Sequence, residues 1–346
     1  MHTRRQFTTL LVSESPSHIA HKFEQIRATC TDHIYSSEPD WTSTNAELHP
    51  SKNRYTNVHP WDRNRVRLPT SDPSQNYINA SHVYLQAPGG EMHCYTAAQG
   101  PTTHTTADFW LMIASDVGAV SVIVMLTQTY EGHVEKCAQY WPTNDRPSAT
   151  YRAIDNSYKC VLTLTEVDID RTANCTISTM TLDLYRPALS LQPTSSKTVR
   201  HIHFKHWSDH SAPGAAGSED SVLALARLAN RLNTAIPPPP ITVHCSAGIG
   251  RTGTFIAIDF LQSCYLNPAP SPSLTISPSA SSASKYIVNS SALLFPNSTI
   301  SDAELDSDPI YDTVSALRHQ RMLMVHNIAQ YNFIYKSIAR LLCTAP

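Results

Sequence analysis

Alternating polar and apolar positions between residues 150 and 206 predict a run of β-strands. The clearest segments read KCVLTLTEVDI, TISTMTLDLY and VRHIHF. Side chains of a strand point alternately to the two faces of a sheet, so a period of two is typical of strands with one buried face. We therefore expect successive antiparallel strands in this part of the chain.

Other stretches have the apolar spacing of amphipathic helices. They cover residues 16–29, 221–236 and 251–263. The second of these stops at the four prolines 237–240, because proline lacks a backbone N–H and clashes with the preceding helical turn. The apolar residues 241–243 come next and predict a short buried strand.

Strands and helices together predict an α/β fold of the α+β type, with a highly twisted mixed central β-sheet flanked by helices. The chain has 346 residues, of which 41% are hydrophobic, which suffices for one large core. We predict a single domain over residues 1–346. Residues 267–306 are rich in Ser and Pro and bury too little apolar surface to order themselves, so they predict a disordered insertion. An inert insertion is favoured over a phosphorylated regulatory one.

The formal net charge of −2 and the lack of a basic stripe indicate no nucleic-acid partner. No uninterrupted apolar run approaches the roughly 18 residues of a membrane span, so we expect no membrane insertion. The eight cysteines show no CxxC pair and no metal-site spacing. A reactive thiolate needs a reducing compartment, which indicates the cytosol, with the nucleus as the alternative. The sequence indicates no oligomeric state.

Candidate chemistry is concentrated in residues 244–253, which read HCSAGIGRTG. A cysteine attacks only as its thiolate, so Cys245, directly after the predicted strand, needs a positive environment. Glycines in the following turn let successive N–H groups point inward as an anion-binding nest. The residues of this nest are Ser246, Ala247, Gly248, Ile249 and Gly250.

This nest would lie at the N-terminus of the third predicted helix, whose dipole favours an anion and a thiolate alike. Arg251, six positions after the cysteine, offers a planar fork for two phosphate oxygens. A buried structural cysteine is the alternative for the Cys-x5-Arg spacing alone. The order of strand, nucleophile, nest, arginine and helix favours attack on phosphorus.

The segment resembles the signature loop of the tyrosine-specific protein phosphatases, cysteine-dependent enzymes with an α/β fold. Further segments resemble the family in the family's own order, from about residue 20 to residue 343, as in a fungal-type member with an insertion. They are KNRYTNVHPWDRNRVRL at 52–68, NYINAS at 76–81, QGPTTHTTADFWLMI at 99–113, VIVMLTQTYEGHVEKCAQYWP at 122–142 and RHQRMLMVHNIAQYNFIY at 318–335.

The resemblance implies a movable acid loop in KHWSDHSAPG, residues 205–214. Trp207 would anchor this loop, and Asp209 would protonate the leaving tyrosine oxygen and later activate the hydrolytic water. The family usually has a proline between them, where this chain has Ser208. Losing the fixed φ of proline predicts a more flexible loop and slower productive closure.

Substrate recognition is also implied by the resemblance. Tyr55 would line a deep slot that favours phosphotyrosine over the shorter phosphoserine. Asn57 stands where the family often has an aspartate that holds the peptide backbone, so peptide binding is expected to be weaker or differently oriented. Lys136 matches a lysine near the acid loop, and Glu131 matches the acid that pairs with the signature arginine. A solvated surface charge is the alternative for each of the last two.

For the second chemical step the family generally carries two glutamines, four residues apart, that place the hydrolytic water. Here His326 replaces the first and Gln330 is the second. Thr252 would stabilise the leaving thiolate of Cys245. His244 is expected to bond to the loop backbone as a structural residue.

Taken together, the resemblance implies hydrolysis of phosphotyrosine in proteins through a cysteinyl-phosphate, with no metal and no other cofactor. Phosphotyrosine-containing proteins would be the partners. The alternative is a phosphotyrosine-binding pseudophosphatase with little turnover, which Ser208, Asn57 and His326 favour. A dual-specificity or lipid phosphatase fits less well, because the loop at 52–68 implies a deep slot and the signature loop lacks added lysines.

Overall fold

The computed structural model describes residues 11, 14–207, 213, 217–266 and 308–344. The helices are α1 Pro16–Ile34, α2 Thr44–Glu47, α3 Thr106–Ser115, α4 Ser218–Leu232, α5 Gly250–Leu266, α6 Pro309–Gln320 and α7 Ile328–Thr344. The strands are β1 Arg65–Arg67, β2 Tyr77–Gln86, β3 Met92–Ala98, β4 Val120–Met125, β5 Tyr130–Glu131, β6 Val134–Glu135, β7 Ser148–Arg152, β8 Lys159–Asp170, β9 Cys175–Tyr185, β10 Ser195–His203 and β11 Ile241–His244.

Nine of these strands form one mixed sheet in the order β1-β2-β3-β11-β4-β10-β9-β8-β7. Strand β11 runs parallel to both of its neighbours, and β10 runs parallel to β4. The outer strands pair antiparallel on both sides. Strands β5 and β6 form a separate two-stranded hairpin. The short strand β11, which leads to Cys245, is therefore central in the sheet.

The predicted fold class is confirmed, and the predicted elements are found with small differences in their bounds. The alternating region 150–206 forms β7 to β10, each antiparallel to the next. Helix α1 extends five residues beyond the predicted end at residue 29. Helix α4 begins three residues before the predicted start at residue 221. It ends at Leu232, four residues before the predicted end at residue 236, and the chain is no longer helical from there to the prolines 237–240.

Apolar side chains from the two faces of the sheet form two buried clusters. Ile241 and Val243 of β11 face the cluster that contains α4, α5 and α7. His244 points to the opposite face, where its ring contacts Phe109 of α3 and Tyr140. This alternation follows from the period of two in a strand. As a result, Cys245 emerges at the end of a strand that is packed on both faces.

The Ser/Pro-rich segment 267–306 lies outside the described residues, so its predicted disorder stays a prediction. The described chain stops at the end of α5 and resumes at Asp308, whose carboxylate caps α6 by accepting the Ile310 N–H at 2.9 Å. Within the described ranges, no helix is both long and apolar enough to cross a membrane.

Candidate active site

Cys245 lies at the bottom of a tight loop between β11 and α5, and its side chain is 3% exposed. The Gly248 N–H donates to Sγ of Cys245 at 3.3 Å. Gly248 has a φ of +71°, and a Cβ at this position would lie 2.1 Å from the carbonyl oxygen of Ala98. Only glycine fits this position, because it alone lets the loop turn back on the sulfur while touching the neighbouring strand.

The surroundings of the Cys245 thiol favour its ionised form. Burial alone would raise its pKa, but the charge of Arg251, the side chain and backbone of Thr252, and the Gly248 N–H lower the pKa below its ordinary value of 9.0. The Thr252 hydroxyl is fully buried and makes no well-aligned hydrogen bond within the described residues, so it acts on Cys245 by its proximity to the sulfur. The loop therefore supplies the positive environment that a thiolate requires.

Arg251 follows the loop and is almost completely buried. Its Nη1 donates to Oε1 of Glu131 at 2.5 Å and to the carbonyl oxygen of Trp207 at 2.8 Å. Glu131 lies in the β5–β6 hairpin, so the expected pairing of these two side chains is present. Trp207 belongs to the predicted acid loop and is the last described residue before Ser208. Arg251 thus ties the signature loop to two other segments of the site.

Tyr55 stands beside the loop, with its Oη 2.8 Å from Oγ of Ser246. Because Ser246 donates its single proton to the Lys136 carbonyl oxygen at 2.9 Å, Tyr55 is the donor to Ser246. Asn57 is exposed two residues further along. The ring of Tyr55 is partly buried and forms a wall next to the anion-binding nest.

A second buried arginine, Arg321, holds the outside of the loop. Its Nε donates to the carbonyl of Gly248 at 2.8 Å, and its Nη2 donates to the carbonyl of Ala247 at 3.1 Å. Nη2 also donates to Oδ1 of Asn79 at 2.8 Å. Because these carbonyls point to Arg321, the N–H groups that follow them, those of Gly248 and Ile249, point the opposite way, and the Gly248 N–H contacts the Cys245 sulfur. Burial lowers the pKa of Arg321 to about 10, so it remains charged at neutral pH.

The sequence pattern predicts no role for Arg321. Arg321 lies within the quoted segment 318–335, but no acidic residue at helical or strand spacing marks it as paired. Its partners are backbone carbonyls, which leave no trace in the residue pattern. Arg54 also has no predicted role. Its Nε and Nη2 donate to the carbonyls of Gly100 and Pro101 at 2.9 and 2.7 Å, and Nη2 pairs with Oε1 of Glu135 at 3.2 Å, which fixes the segment that carries Tyr55.

Gln330 lies in the first turn of α7 and packs against the loop at Gly250. A Cβ on Gly250 would lie 2.9 Å from both the amide nitrogen and the amide oxygen of this glutamine. The amide oxygen accepts the N–H of His326 at 2.9 Å, and the side chain of His326 is exposed. The structure therefore brings Gln330 to the edge of the anion-binding nest.

His244 is buried behind the loop, and its Nδ1 lies 3.1 Å from the carbonyl oxygen of Cys245. The contact is with the loop backbone, as the sequence predicts. Asp209 and Ser208 lie outside the described residues, so their predicted roles remain predictions. Within residues 14–207, 217–266 and 308–344, no group of three or more His, Cys, Asp or Glu side chains is arranged to hold a metal ion.

This chain is similar in sequence and in fold to known proteins. A family model described as protein-tyrosine phosphatase matches residues 49–276. Tyrosine-protein phosphatase 2 of Schizosaccharomyces pombe is 31% identical over 317 residues, which cover 91% of this chain and 37% of that protein. Human phosphatidylinositol phosphatase PTPRQ is 30% identical over 307 residues, which cover 88% of this chain and 10% of that protein.

A solved structure of PTPN18, described as the structural basis of its fingerprint on distinct HER2 tyrosine phosphorylation sites, matches with a TM-score of 0.70 at 25% identity. The match covers 99% of each of the two chains. In contrast, the chain spans 37% and 10% of the lengths of the two curated relatives named above. The similarity is therefore to a part of those longer proteins.

Proposed function

The chain belongs to the protein-tyrosine phosphatase family, and from this premise we propose that it hydrolyses phosphotyrosine in proteins through a cysteinyl-phosphate on Cys245. The observation that carries the proposal is the environment of the Cys245 sulfur. It accepts an N–H from Gly248, and the charge of Arg251 helps to hold its pKa below the ordinary value despite burial. A buried thiolate facing inward N–H groups is suited to attack an electrophile that is itself anionic.

In the first step, the Cys245 sulfur forms a bond to phosphorus as the bond to the tyrosine oxygen breaks. Asp209 would give its proton to that oxygen, as the family resemblance implies. Arg251 would bind the phosphate oxygens more strongly as they move toward the transition state, because its guanidinium is fixed by Glu131. The link from Arg251 to the Trp207 carbonyl supports an acid loop that begins beside the phosphate.

In the second step, water attacks the phosphorus of the cysteinyl-phosphate and the sulfur leaves as a thiolate. Gln330 would place this water, which its position against Gly250 supports. Thr252 would stabilise the leaving thiolate, since its hydroxyl already lowers the pKa of Cys245. His326 presents an imidazole where the family generally has the first of its two glutamines, so we expect the second step to be the slower one.

Phosphotyrosine is the favoured substrate because of Tyr55. Its ring stands beside the nest and is tied to Ser246, so it would form one wall of a slot for an aromatic ring. Asn57 would contact the peptide without charge, and Lys136 would lie near the acid loop. A phosphoinositide is the second candidate, because PTPRQ is named a phosphatidylinositol phosphatase. The nest residues 246–250 include no lysine for additional phosphates, which favours the protein substrate.

We further propose that the described residues form one catalytic domain with 267–306 as an insertion, and that the protein acts in signalling in the cytosol or nucleus. None of the eight cysteines is paired in a disulfide, which supports a reducing compartment. Nothing in the comparisons favours the phosphotyrosine-binding module with little turnover over the enzyme.

The test is rapid-mixing kinetics with p-nitrophenyl phosphate and a phosphotyrosine peptide, followed by acid quenching to trap the phosphoenzyme. We expect a burst of product that matches the enzyme concentration, with the phosphate recovered on Cys245. The Cys245→Ser variant should release no product, whereas Cys264→Ser, near the end of helix α5 and outside the site, should behave like the wild type. Product release by Cys245→Ser, or faster hydrolysis of a phosphoinositide than of the peptide, would contradict the proposal.

A further inference from the structure

A continuous chain of hydrogen bonds runs behind the phosphate-binding loop from β10 to the backbone of Cys245. His201 Nε2 lies 2.8 Å from Oη of Tyr140, and the same hydroxyl lies 2.6 Å from Nε2 of His244. Nδ1 of His244 then lies 3.1 Å from the Cys245 carbonyl oxygen. All three side chains are fully buried, so no bulk water competes for these contacts.

The direction of each hydrogen bond in this chain follows from counting protons. Burial lowers the pKa of His244 to about 3 and that of His201 well below its ordinary value, so both rings are neutral at physiological pH. The Cys245 carbonyl can only accept, which puts the one ring proton of His244 on Nδ1. Its Nε2 must then accept the hydroxyl proton of Tyr140. Since tyrosine has only one such proton, Nε2 of His201 must be the donor to Tyr140.

The reverse arrangement is disfavoured at both ends of the chain. If Tyr140 donated to His201, the ring proton of His201 would move to Nδ1, which is buried and has no hydrogen-bond partner. His244 would also lose its Nδ1 proton and turn a lone pair toward the Cys245 carbonyl. An unpaired buried N–H and a repulsive contact both cost free energy. The surroundings of His201 therefore set the direction of the whole chain.

The direction matters because it fixes a peptide plane of the phosphate-binding loop. In a trans peptide the carbonyl and the next N–H point to opposite sides. When the Nδ1–H of His244 holds the carbonyl of Cys245, the N–H of Ser246 is turned to the opposite side, away from His244. An N–H that points into the nest stabilises both the thiolate and a bound phosphate.

We propose that His201 is a positioning residue for the Cys245 chemistry, acting through Tyr140 and His244 without touching the substrate. Its Nε2–H directs the tyrosine proton to His244, which in turn orients the peptide between Cys245 and Ser246. The proposal rests on the proposed function, but its consequence for the thiol pKa is independent of turnover.

The groups that face this chain do not supply another proton route. Tyr140, His201 and His244 are the three side chains of this hydrogen-bond chain. The other titratable or charged side chains whose charge acts on them are Cys137, Tyr151, His203, Arg54 and Arg251. Among them, burial raises the pKa of Cys137 well above its ordinary value, and the Nε2 of His203 donates to the Thr127 carbonyl at 2.9 Å.

The direct test is the tautomeric state of each histidine in the wild-type protein, read from long-range 15N–1H correlations at neutral pH. We expect His201 to carry its proton on Nε2 and His244 to carry its proton on Nδ1. If the two tautomers were reversed, or if both rings carried the proton on the same nitrogen, the proposal would be wrong whatever the activity of the enzyme.

Variants then test the consequence through the pH dependence of Cys245 alkylation by iodoacetamide. We expect Tyr140→Phe to raise the alkylation midpoint by about half a pH unit to one unit, since one hydrogen bond is lost. His201→Leu should raise it by less, and His201→Gln, whose amide N–H can replace the donor, should restore the wild-type midpoint. Tyr158→Phe is the matched control, because Tyr158 is a similarly buried tyrosine that donates to Asp108 instead.

An unchanged midpoint in both Tyr140→Phe and His201→Leu would contradict the proposal. So would an equal shift in Tyr158→Phe, or a shift in His201→Gln as large as that in His201→Leu, because packing would then explain the effect. If His201→Leu does not fold, the nearly isosteric Tyr140→Phe and the wild-type tautomers still decide the question. A protein with no turnover but with the expected midpoints would contradict the proposed function and support this inference.

Discussion

Glu131 and Arg251 are 120 positions apart in the chain, yet Oε1 of the glutamate accepts a hydrogen bond from the arginine at 2.5 Å. The same carboxylate oxygen accepts the hydroxyl of Thr127 at 3.1 Å. The guanidinium is almost fully buried, whereas the glutamate side chain is 18% exposed. The carboxylate balances the positive charge of Arg251 and fixes the orientation of its guanidinium beside the nest.

Replacing Glu131 by Gln keeps an oxygen acceptor but removes the charge. A hydrogen bond to a charged group contributes about 1.5–3 kcal/mol, so we expect kcat/KM to fall by about ten- to a hundredfold. Steady-state kinetics on a phosphotyrosine peptide measure this. Glu166→Gln, at an exposed position of β8, should leave kcat/KM unchanged. A wild-type kcat/KM in Glu131→Gln would show that the ion pair does not position Arg251.

Gly248→Ala should abolish the anion-binding nest. The new Cβ would lie 2.1 Å from the Ala98 carbonyl oxygen, and backbone is the part of the structure that cannot move away cheaply. We expect activity to fall by at least about a hundredfold, and inorganic phosphate to lose its competitive inhibition. The matched control is Gly90→Ala, which has a φ of +90° and nothing within 4 Å of the added Cβ.

Gly90→Ala therefore carries only the conformational cost of a left-handed residue, about 1–2 kcal/mol of stability, with activity retained. Melting temperatures and kcat measured side by side separate the steric effect from the conformational one. Equal activity in the two variants would contradict the close approach at Gly248.

Arg321→Lys keeps the charge but loses the fork that binds several acceptors at once. A lysine cannot reach the carbonyls of Ala247 and Gly248 and the amide of Asn79 together. We expect the free energy of unfolding to drop by about 2–4 kcal/mol and kcat/KM to fall with it. Chemical denaturation and kinetics measure the two effects, with Arg67→Lys at an exposed position as the control. A stability loss without a kinetic one would make Arg321 a purely structural residue.

The lowered pKa of Cys245 predicts alkylation by iodoacetamide at pH values where an ordinary thiol, with a pKa of 9.0, is still protonated. Arg251→Ala should move the midpoint upward, because burial then acts with less opposing charge. Alkylation rates from pH 5 to pH 10, with a small-molecule thiol as the reference, measure both. A midpoint of Cys245 alkylation at or above pH 9 in the wild type would contradict a lowered pKa of this thiol.

The lowered pKa of Cys245 also makes the free energy of unfolding depend on pH. The folded pKa lies below the unfolded value of 9.0, so the thiolate stabilises the fold above pH 9 and this stabilisation is lost as pH falls through the folded pKa. We expect the free energy of unfolding of the wild type, relative to Cys245→Ser, to rise with pH between those two values. Urea denaturation at several pH values measures this difference, and a difference independent of pH would contradict the prediction.

Much of the fold follows from local patterns. The alternation in residues 150–206 gave four antiparallel strands, and the prolines at 237–240 separated α4 from β11. These elements could be predicted because the period of apolar positions and the chemistry of proline act within a few residues. The place of β11 between β3 and β4 could not be read in this way, since strand order is set by contacts between distant segments.

The sequence by itself was enough to predict the nucleophile, the nest and the arginine of the candidate site, because Cys245 to Arg251 are neighbours whose chemistry depends on one turn of backbone. Only the tertiary structure decided how that turn is held. Arg321 binds carbonyl groups of the turn from a position 70 or more residues away. Tyr140, between β6 and β7, contacts His244, and His201 of β10 contacts Tyr140. The partners in these contacts are backbone carbonyls and neutral side chains, so no pair of opposite charges in the sequence indicates them. They can be identified only from the folded structure.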